Sequence, residues 1–171
     1  EITIVEMADH LLPCEDDDVA KQLARSFKKD KIKVMTSDSI TKVEVNDNGV
    51  TAELGSGKSL TAELMIVSVG RRPYLDNLGV EELGLASERG KLIVDENMMT
   101  NVDGIYAIGD VINSPMLAHV ASKEGLVAVD HAVGKKSSVN YDAVPRCVYT
   151  DPEVAAVGKT ERELTEKGIA Y

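Results

Sequence analysis

The sequence reads as an α/β fold. Apolar runs of strand length recur along the chain, several closed by an acid or a glycine. Two longer segments carry apolar residues at helical spacing, and clusters of Gly, Asp, Asn and Pro separate the two kinds. The composition suits a folded globular piece, since 43% hydrophobic and 28% charged residues are ordinary values. A length of 171 residues is that of one domain or little more.

Taken in order, Glu1 to Glu6 is a strand pattern that ends in an acid. Glu15-Asp16-Asp17-Asp18 opens a helix that runs to about Lys29. Val19, Leu23 and Phe27 recur there at four-residue spacing, and acids at the start with Lys28-Lys29 at the end match the helix dipole. The acidic run has no cation-loop spacing and reads as a helix start. Ile32 to Met35 resumes a strand. Thr41 to Val45 and Val50 to Leu54 alternate around Asn46-Asp47-Asn48-Gly49, a hairpin signal. A strand near Ser59 to Glu63 leads into a further apolar run, Leu64 to Val69, and Gly70-Arg71-Arg72-Pro73 reads as a tight exit from the sheet. Gly90 to Val94 and Met98 to Thr100 suggest short strands. Tyr141 to Tyr149 is an apolar stretch, Asp151-Pro152 a turn and Glu153 to Gly158 a strand, and Thr160-Glu161-Arg162-Glu163 satisfies a capping box for a closing helix.

The stretch Thr100 to Val111 (TNVDGIYAIGDV) carries the most chemistry. Ile105 to Ile108 has the make-up of a buried strand behind the turn Asp103-Gly104. Gly109 has no Cβ, so a bulky flat ligand can approach the backbone there. Asp110 then falls at the carboxyl end of that strand, where open α/β sheets bind ligands, and a carboxylate there can accept hydrogen bonds from sugar or ribityl hydroxyls. A core strand ending in a turn aspartate is the alternative reading. Beyond it, Leu117, Ala121, Leu126, Val129 and Val133 fall near helical spacing, with Gly134-Lys135-Lys136 as a stop signal. Ala118 and His119 lie in the first turn, where unpartnered amides and the dipole favour negative charge on a ligand. The alternative is an amphipathic core helix with a surface histidine.

Three strings, TNVDGIYAIGDV, PMLAHVASKEG and VPRCVYTDPEVAAVGKTERE, follow one another from Thr100 to Glu163. Together they resemble the flavin-dependent pyridine-nucleotide disulfide oxidoreductases, over essentially the whole chain, and within them the members that oxidise dihydrolipoyl groups. The resemblance implies partial three-layer (ββα) FAD/NAD(P)-binding domains, truncated at both ends, plus the start of the α+β dimerisation domain. It places the end of an NAD-binding domain at 1–69, the returning segment of an FAD-binding domain at 70–138 and the start of the interface domain at 139–171. FAD and NAD are the implied cofactors, with Gly109 and Asp110 at the flavin's ribityl chain and Ala118 and His119 at the isoalloxazine edge. On the nicotinamide side it implies Gly70 and Arg71, and on the adenine side Ile40. Arg71 and Arg72 also read as a solvated hinge pair, and any core strand could place an isoleucine at 40.

Glu6 supports the same reading separately. In a dinucleotide-binding βαβ unit, an acid about 20 residues beyond the glycine fingerprint takes the ribose hydroxyls, and Glu6 matches it in type and at a strand end. Such an acid repels a 2′-phosphate and favours NAD over NADP; a solvated strand-end glutamate is the alternative. No G-x-G-x-x-G occurs, the two cysteines Cys14 and Cys147 are far apart, and no His-x-His-Pro segment is present. The sequence is therefore expected to be an internal segment that contributes binding but no catalytic residue. The cysteines read as unpaired thiols of a reducing compartment, and the histidines have no metal-ligand spacing.

A net charge of −10 argues against nucleic acid and anionic membranes as partners, no run is long enough to span a bilayer, and no signal pattern appears. The resemblance implies a homodimeric parent that meets the lipoyl domain of a 2-oxoacid dehydrogenase complex, in the cytoplasm or the mitochondrial matrix. Another member of the family, such as a mercuric reductase or a flavin transhydrogenase, remains open. So does a non-catalytic nucleotide-binding or interaction module.

Overall fold

A computed structural model describes residues 1–171. The chain forms two compact units, one built from Glu1–Val67 with Pro145–Tyr171 and the other from Ser68–Val144.

The first unit opens with a right-sized βαβ element. Strand β1 (Thr3–Val5) pairs in parallel with β2 (Lys33–Met35), Ile4 opposite Val34, and helix α1 (Asp17–Lys29) makes the crossover. Ala20 and Leu23 are the buried positions of α1, while Asp17-Asp18 and Lys28-Lys29 sit at the ends that the dipole favours. Strands β3 (Ile40–Asn46), β4 (Gly49–Leu54) and β5 (Ser59–Ala62) form an antiparallel meander. Its central strand buries Val50, Ala52 and Leu54 on one face with period two. The β3–β4 turn needs Gly49, whose φ is +130° and whose Cβ would collide with the carbonyl oxygen of Ala62.

The carboxyl-terminal piece belongs to the same unit. Strands β8 (Pro145–Val148) and β9 (Val154–Val157) pair antiparallel, and Thr160 with Glu163 closes the capping box of helix α3 (Glu161–Glu166). This piece is tied to the loop before α1 by polar contacts. Arg146 donates from Nε and Nη2 to the two oxygens of buried Glu15, at 3.1 and 3.3 Å, and from Nη1 to the Gly158 carbonyl. Asp16, the residue that precedes α1, does not cap that helix with its side chain but accepts the Glu161 N–H at 2.8 Å. Cys14 and Cys147 are both free and exposed.

In the second unit, Leu92, Met98, Ala107, Ile112, Val127 and Ala128 make a continuous core. Around it lie the short hairpin β6 (Ser87–Glu88) and β7 (Lys91–Leu92) and the long helix α2 (Ala118–Ala132). No helix of the chain is long and apolar enough to cross a membrane.

Three expected strands do not form. Leu64 to Val69 makes no ladder, and most of its apolar side chains face water, Ile66 at 83% and Val69 at 93% exposure. Ile105 to Ile108 makes only one isolated bridge, Met99 to Tyr106. Both runs have strand composition, but a strand requires a neighbour to hydrogen-bond with. No segment of this chain lies alongside the first in register. The second spends its amides on single loop contacts, such as Ala107 N–H to the Met98 carbonyl. Met98 to Thr100 is likewise reduced to that bridge and to turn contacts.

The Glu15–Arg146 pair gives a stability test. Removing one member of a buried pair leaves the other charge uncompensated, which costs ~3–5 kcal/mol when both are buried. Arg146 is 29% exposed, so Glu15→Ala is expected to lose about 2–3 kcal/mol in urea unfolding. Breaking the exposed Lys21–Asp18 pair should cost under about 0.5 kcal/mol. Equal effects from the two substitutions would show that the Glu15 pair is screened by solvent.

Candidate functional site

In the second unit the chain turns sharply at Gly109. Ile108 is extended, Gly109 has a φ of +70°, and Gly109–Val111 forms one turn of 3-10 helix closed by the Ile112 N–H on the Gly109 carbonyl. Glycine is required twice here, by the left-handed backbone and by space, since a Cβ would sit 3.1 Å from the Ala121 methyl carbon of α2. Asp110 therefore projects from a tight turn packed on the first turns of a helix, and not from the end of a regular strand as the sequence suggests. Its side chain is about half exposed. It pairs with the Arg71 guanidinium at 3.7 Å and accepts no hydrogen bond from the chain.

Helix α2 begins beside that turn. Its N-cap position is Leu117, whose side chain has no acceptor and makes no cap hydrogen bond. Ala118 and His119 are exposed there. Gly70 is exposed with a φ of +118° and open space where a Cβ would be, so its need for glycine is conformational only. The second unit thus brings Gly109, Asp110 and Arg71 together next to the start of α2.

In the first unit, Glu6 extends the parallel ladder by one bond, its N–H donating to the Met35 carbonyl at 2.9 Å. One carboxylate oxygen accepts the Ala8 N–H at 2.7 Å, which leaves the other free of chain donors. The Asp38 N–H donates to the Glu6 carbonyl, so the loop that delivers Ile40 is stitched to the end of β1. Ile40 opens β3, partly exposed, opposite Leu54.

Three polar groups that organise these places are not visible as such in the sequence. Glu124, at 0% exposure, is in the interior of α2; its Oε2 accepts the Gly109 N–H at 2.7 Å and its Oε1 accepts the Tyr141 hydroxyl at 2.8 Å. An acid in the same apolar row as Val120 and Val127 is the one signal that could have revealed it. Asp38 accepts the N–H groups of Ser39 and Ser56 and the Ser56 hydroxyl, the last at 2.6 Å. The Ser56 hydroxyl bond, ahead of the amide bonds, holds its carboxyl below the usual value of 3.8. Tyr141, noted in the sequence only as apolar, has its phenol pushed up to about 12, first by burial and then by the hydrogen bond to Glu124 and that residue's negative charge.

The Tyr141 phenol makes the Glu124 contact measurable. The ordinary value is 10.0, so the folded state holds this proton more tightly than the unfolded chain. Its contribution to stability is full below about pH 10 and is lost as pH rises through about 12. A difference titration of wild type against Tyr141→Phe should isolate one phenol that ionises near pH 12. Ionisation at the same pH as free tyrosine would show that the hydroxyl does not face the carboxylate.

Comparison with known proteins places the chain in a family. Residues 1–125 match the family described as pyridine nucleotide-disulphide oxidoreductase, and residues 144–171 match that family's dimerisation domain. The mitochondrial dihydrolipoyl dehydrogenase 2 of Arabidopsis thaliana is 42% identical over 177 aligned residues, covering 100% of this chain and 35% of the relative. The dihydrolipoyl dehydrogenase of Cupriavidus necator is 39% identical, with 100% of this chain and 37% of the relative covered. Among solved structures, LpdA of Mycobacterium tuberculosis superposes with a TM-score of 0.90 at 32% identity, over 98% of this chain and 37% of that one. The HOCl-induced flavoprotein disulfide reductase RclA of Escherichia coli gives 0.86 at 27% identity, over 98% of this chain and 39% of that one. The chain spans little more than a third of the length of these relatives.

Proposed function

The chain belongs to the pyridine nucleotide-disulphide oxidoreductases, which use FAD and NAD, and on that premise we propose that it is part of an FAD-dependent dihydrolipoyl dehydrogenase. Its role there is to bind cofactors, in an enzyme that converts dihydrolipoamide and NAD to lipoamide and NADH. The observation that carries this reading is the Gly109–Asp110 turn packed beside the start of α2. The identity of about 40% to dihydrolipoyl dehydrogenases, over the whole of this chain and little more than a third of theirs, supports the choice of substrate. The likeness to RclA supports, as a second reading, another flavoprotein disulfide reductase.

The residues present fit the cofactors. Bound FAD would supply the two-electron relay between a dithiol and NAD. The Asp110 carboxylate, with no hydrogen bond from the chain on it, would accept hydrogen bonds from the ribityl hydroxyls, while the missing Cβ of Gly109 makes room for Ala121 of α2 and not, as the sequence suggests, for the ligand. The Ala118 amide and the positive end of α2 favour negative charge on the facing edge of the ring system, with His119 alongside. Glu6 has one oxygen left for the adenosine ribose hydroxyls, and its charge rejects a 2′-phosphate. Ile40 lines the adenine side, and Gly70 and Arg71 lie toward the nicotinamide. Arg71 also neutralises Asp110, a contact worth ~0–1 kcal/mol at that exposure.

The wider assignments follow from the same reading. Segments 1–69, 70–138 and 139–171 serve the NAD, FAD and interface domains. The parent is a homodimer that meets the lipoyl domain of a 2-oxoacid dehydrogenase complex.

Both cofactor assignments can be read on the intact chain by amide chemical shifts. Titrating FAD is expected to move Gly109, Asp110, Ala118 and His119, and titrating NAD to move Glu6, Ala8 and Ile40. NADP should bind about tenfold more weakly than NAD, the effect of one like-charge contact of ~1.4 kcal/mol. Shifts scattered over other surfaces, or equal affinity for NADP, would overturn the reading. The purified chain should reduce no NAD with dihydrolipoamide, since neither the cysteine pair nor the histidine segment of the reaction is among its residues. Turnover above a no-protein control would show that the binding-only role is wrong.

A further inference from the structure

We propose that Glu124 is a positioning residue for the flavin, holding the Gly109 amide from inside the protein so that the Asp110 carboxylate is presented in one direction. The proposal rests on the flavin reading of Asp110 and adds to it the residue that sets its geometry.

Placing a carboxylate at this point of α2 is a costly choice. The position is fully buried in the row of Val120 and Val127, and a leucine or methionine would fill it without desolvation. An apolar side chain could not accept the Gly109 N–H. That amide points into the interior because the chain switches at Gly109 from extended to left-handed backbone, and it has no carbonyl partner of its own. Left unpaired it would cost about 1–3 kcal/mol, enough to turn the peptide and carry Asp110 with it. Glu124 satisfies it at 2.7 Å with Oε2. The Tyr141 hydroxyl fixes the other oxygen at 2.8 Å and stops the carboxylate from rotating away. Three independent restraints therefore act within two residues of Asp110: the Glu124 bond, the φ of +70°, and the close Ala121 methyl behind Gly109.

Asp110 has only the loose Arg71 pair to orient it. The direction of its side chain is thus inherited from the backbone, and the backbone from Glu124. Tyr141 lies three residues before the stretch that matches the dimerisation domain, so the same carboxylate also anchors the segment leading there.

The test uses the full chain, the variants Glu124→Leu and Glu124→Gln, and FAD as probe. In the wild type, the Gly109 amide should exchange with solvent far more slowly than an unprotected amide. Glu124→Leu, with no acceptor, should speed that exchange and weaken FAD-induced shifts at Asp110 by about tenfold in affinity, the loss of one charge-assisted hydrogen bond. Glu124→Gln keeps one acceptor oxygen and should restore affinity to within about threefold of the wild type. A purely structural role would lower stability to urea in both variants with no such rescue at the ligand. Unprotected exchange at Gly109 in the wild type overturns the proposal even if Glu124→Leu fails to fold.

Asp110→Ala is measured alongside. If it weakens FAD while both Glu124 variants bind as the wild type does, only the positioning role falls. If Asp110→Ala leaves FAD affinity unchanged, the flavin reading itself is overturned.

Discussion

The amide of Gly109 has nowhere to go but inward, and the shape of the second unit follows from how that is resolved. A backbone that leaves an extended conformation for a left-handed one breaks any ladder it belonged to, and its N–H must find a partner or lose more than a kilocalorie. The partner is a carboxylate sent from the middle of α2, so helix and turn are registered against each other by one short bond. That registration sets Ala121 behind Gly109, lets Ile112 and Ala107 reach the same core as Val127 and Ala128, and leaves Asp110 on the outside. Glu124 is compensated on both oxygens, which is the condition under which a buried carboxylate can be kept.

The first unit solves similar problems with the same chemistry. Asp38 collects two amides and a hydroxyl and pins the loop after β2 to the turn between β4 and β5. Glu15 takes both nitrogens of a fork from Arg146 and joins the loop before α1 to β8, while Asp16 is diverted from capping its own helix to capping α3. In each case a carboxylate organises loop backbone where apolar packing is thin. This is a reasonable use of a chain with 29 acidic residues, although most of those are merely solvated.

What could be read from the sequence was local. The alternation of Val50, Ala52 and Leu54, the four-residue spacing of Val19, Leu23 and Phe27, and the Thr160–Glu163 capping box depend on neighbours within a few residues, and all appear in the fold. What could not be read depends on distant partners. Leu64 to Val69 has every compositional mark of a strand and no ladder, because pairing is a property of what lies alongside and not of the run itself. Ile105 to Ile108 failed for a related reason, its amides being spent singly on the 95–102 loop. Asp110 could be singled out from the sequence as a candidate ligand-binding acid, but its supporting Glu124 could not. The contact spans fifteen residues, and nothing in an apolar helix row says which loop amide its one acid will meet.

The two acids proposed to meet cofactor sugars are aimed by different means. Glu6 continues a real parallel ladder, and the next loop donates Ala8 N–H to one of its oxygens, so strand geometry and one loop amide aim it. Asp110 follows a strand that never forms, and a glycine turn and a buried helix carboxylate must supply the rigidity that a ladder would have given. The consequence is a difference in sensitivity. Glu6 tolerates change in its surroundings as long as β1 pairs with β2, whereas Asp110 depends on two specific residues, Gly109 and Glu124, neither of which needs to touch a ligand through its side chain.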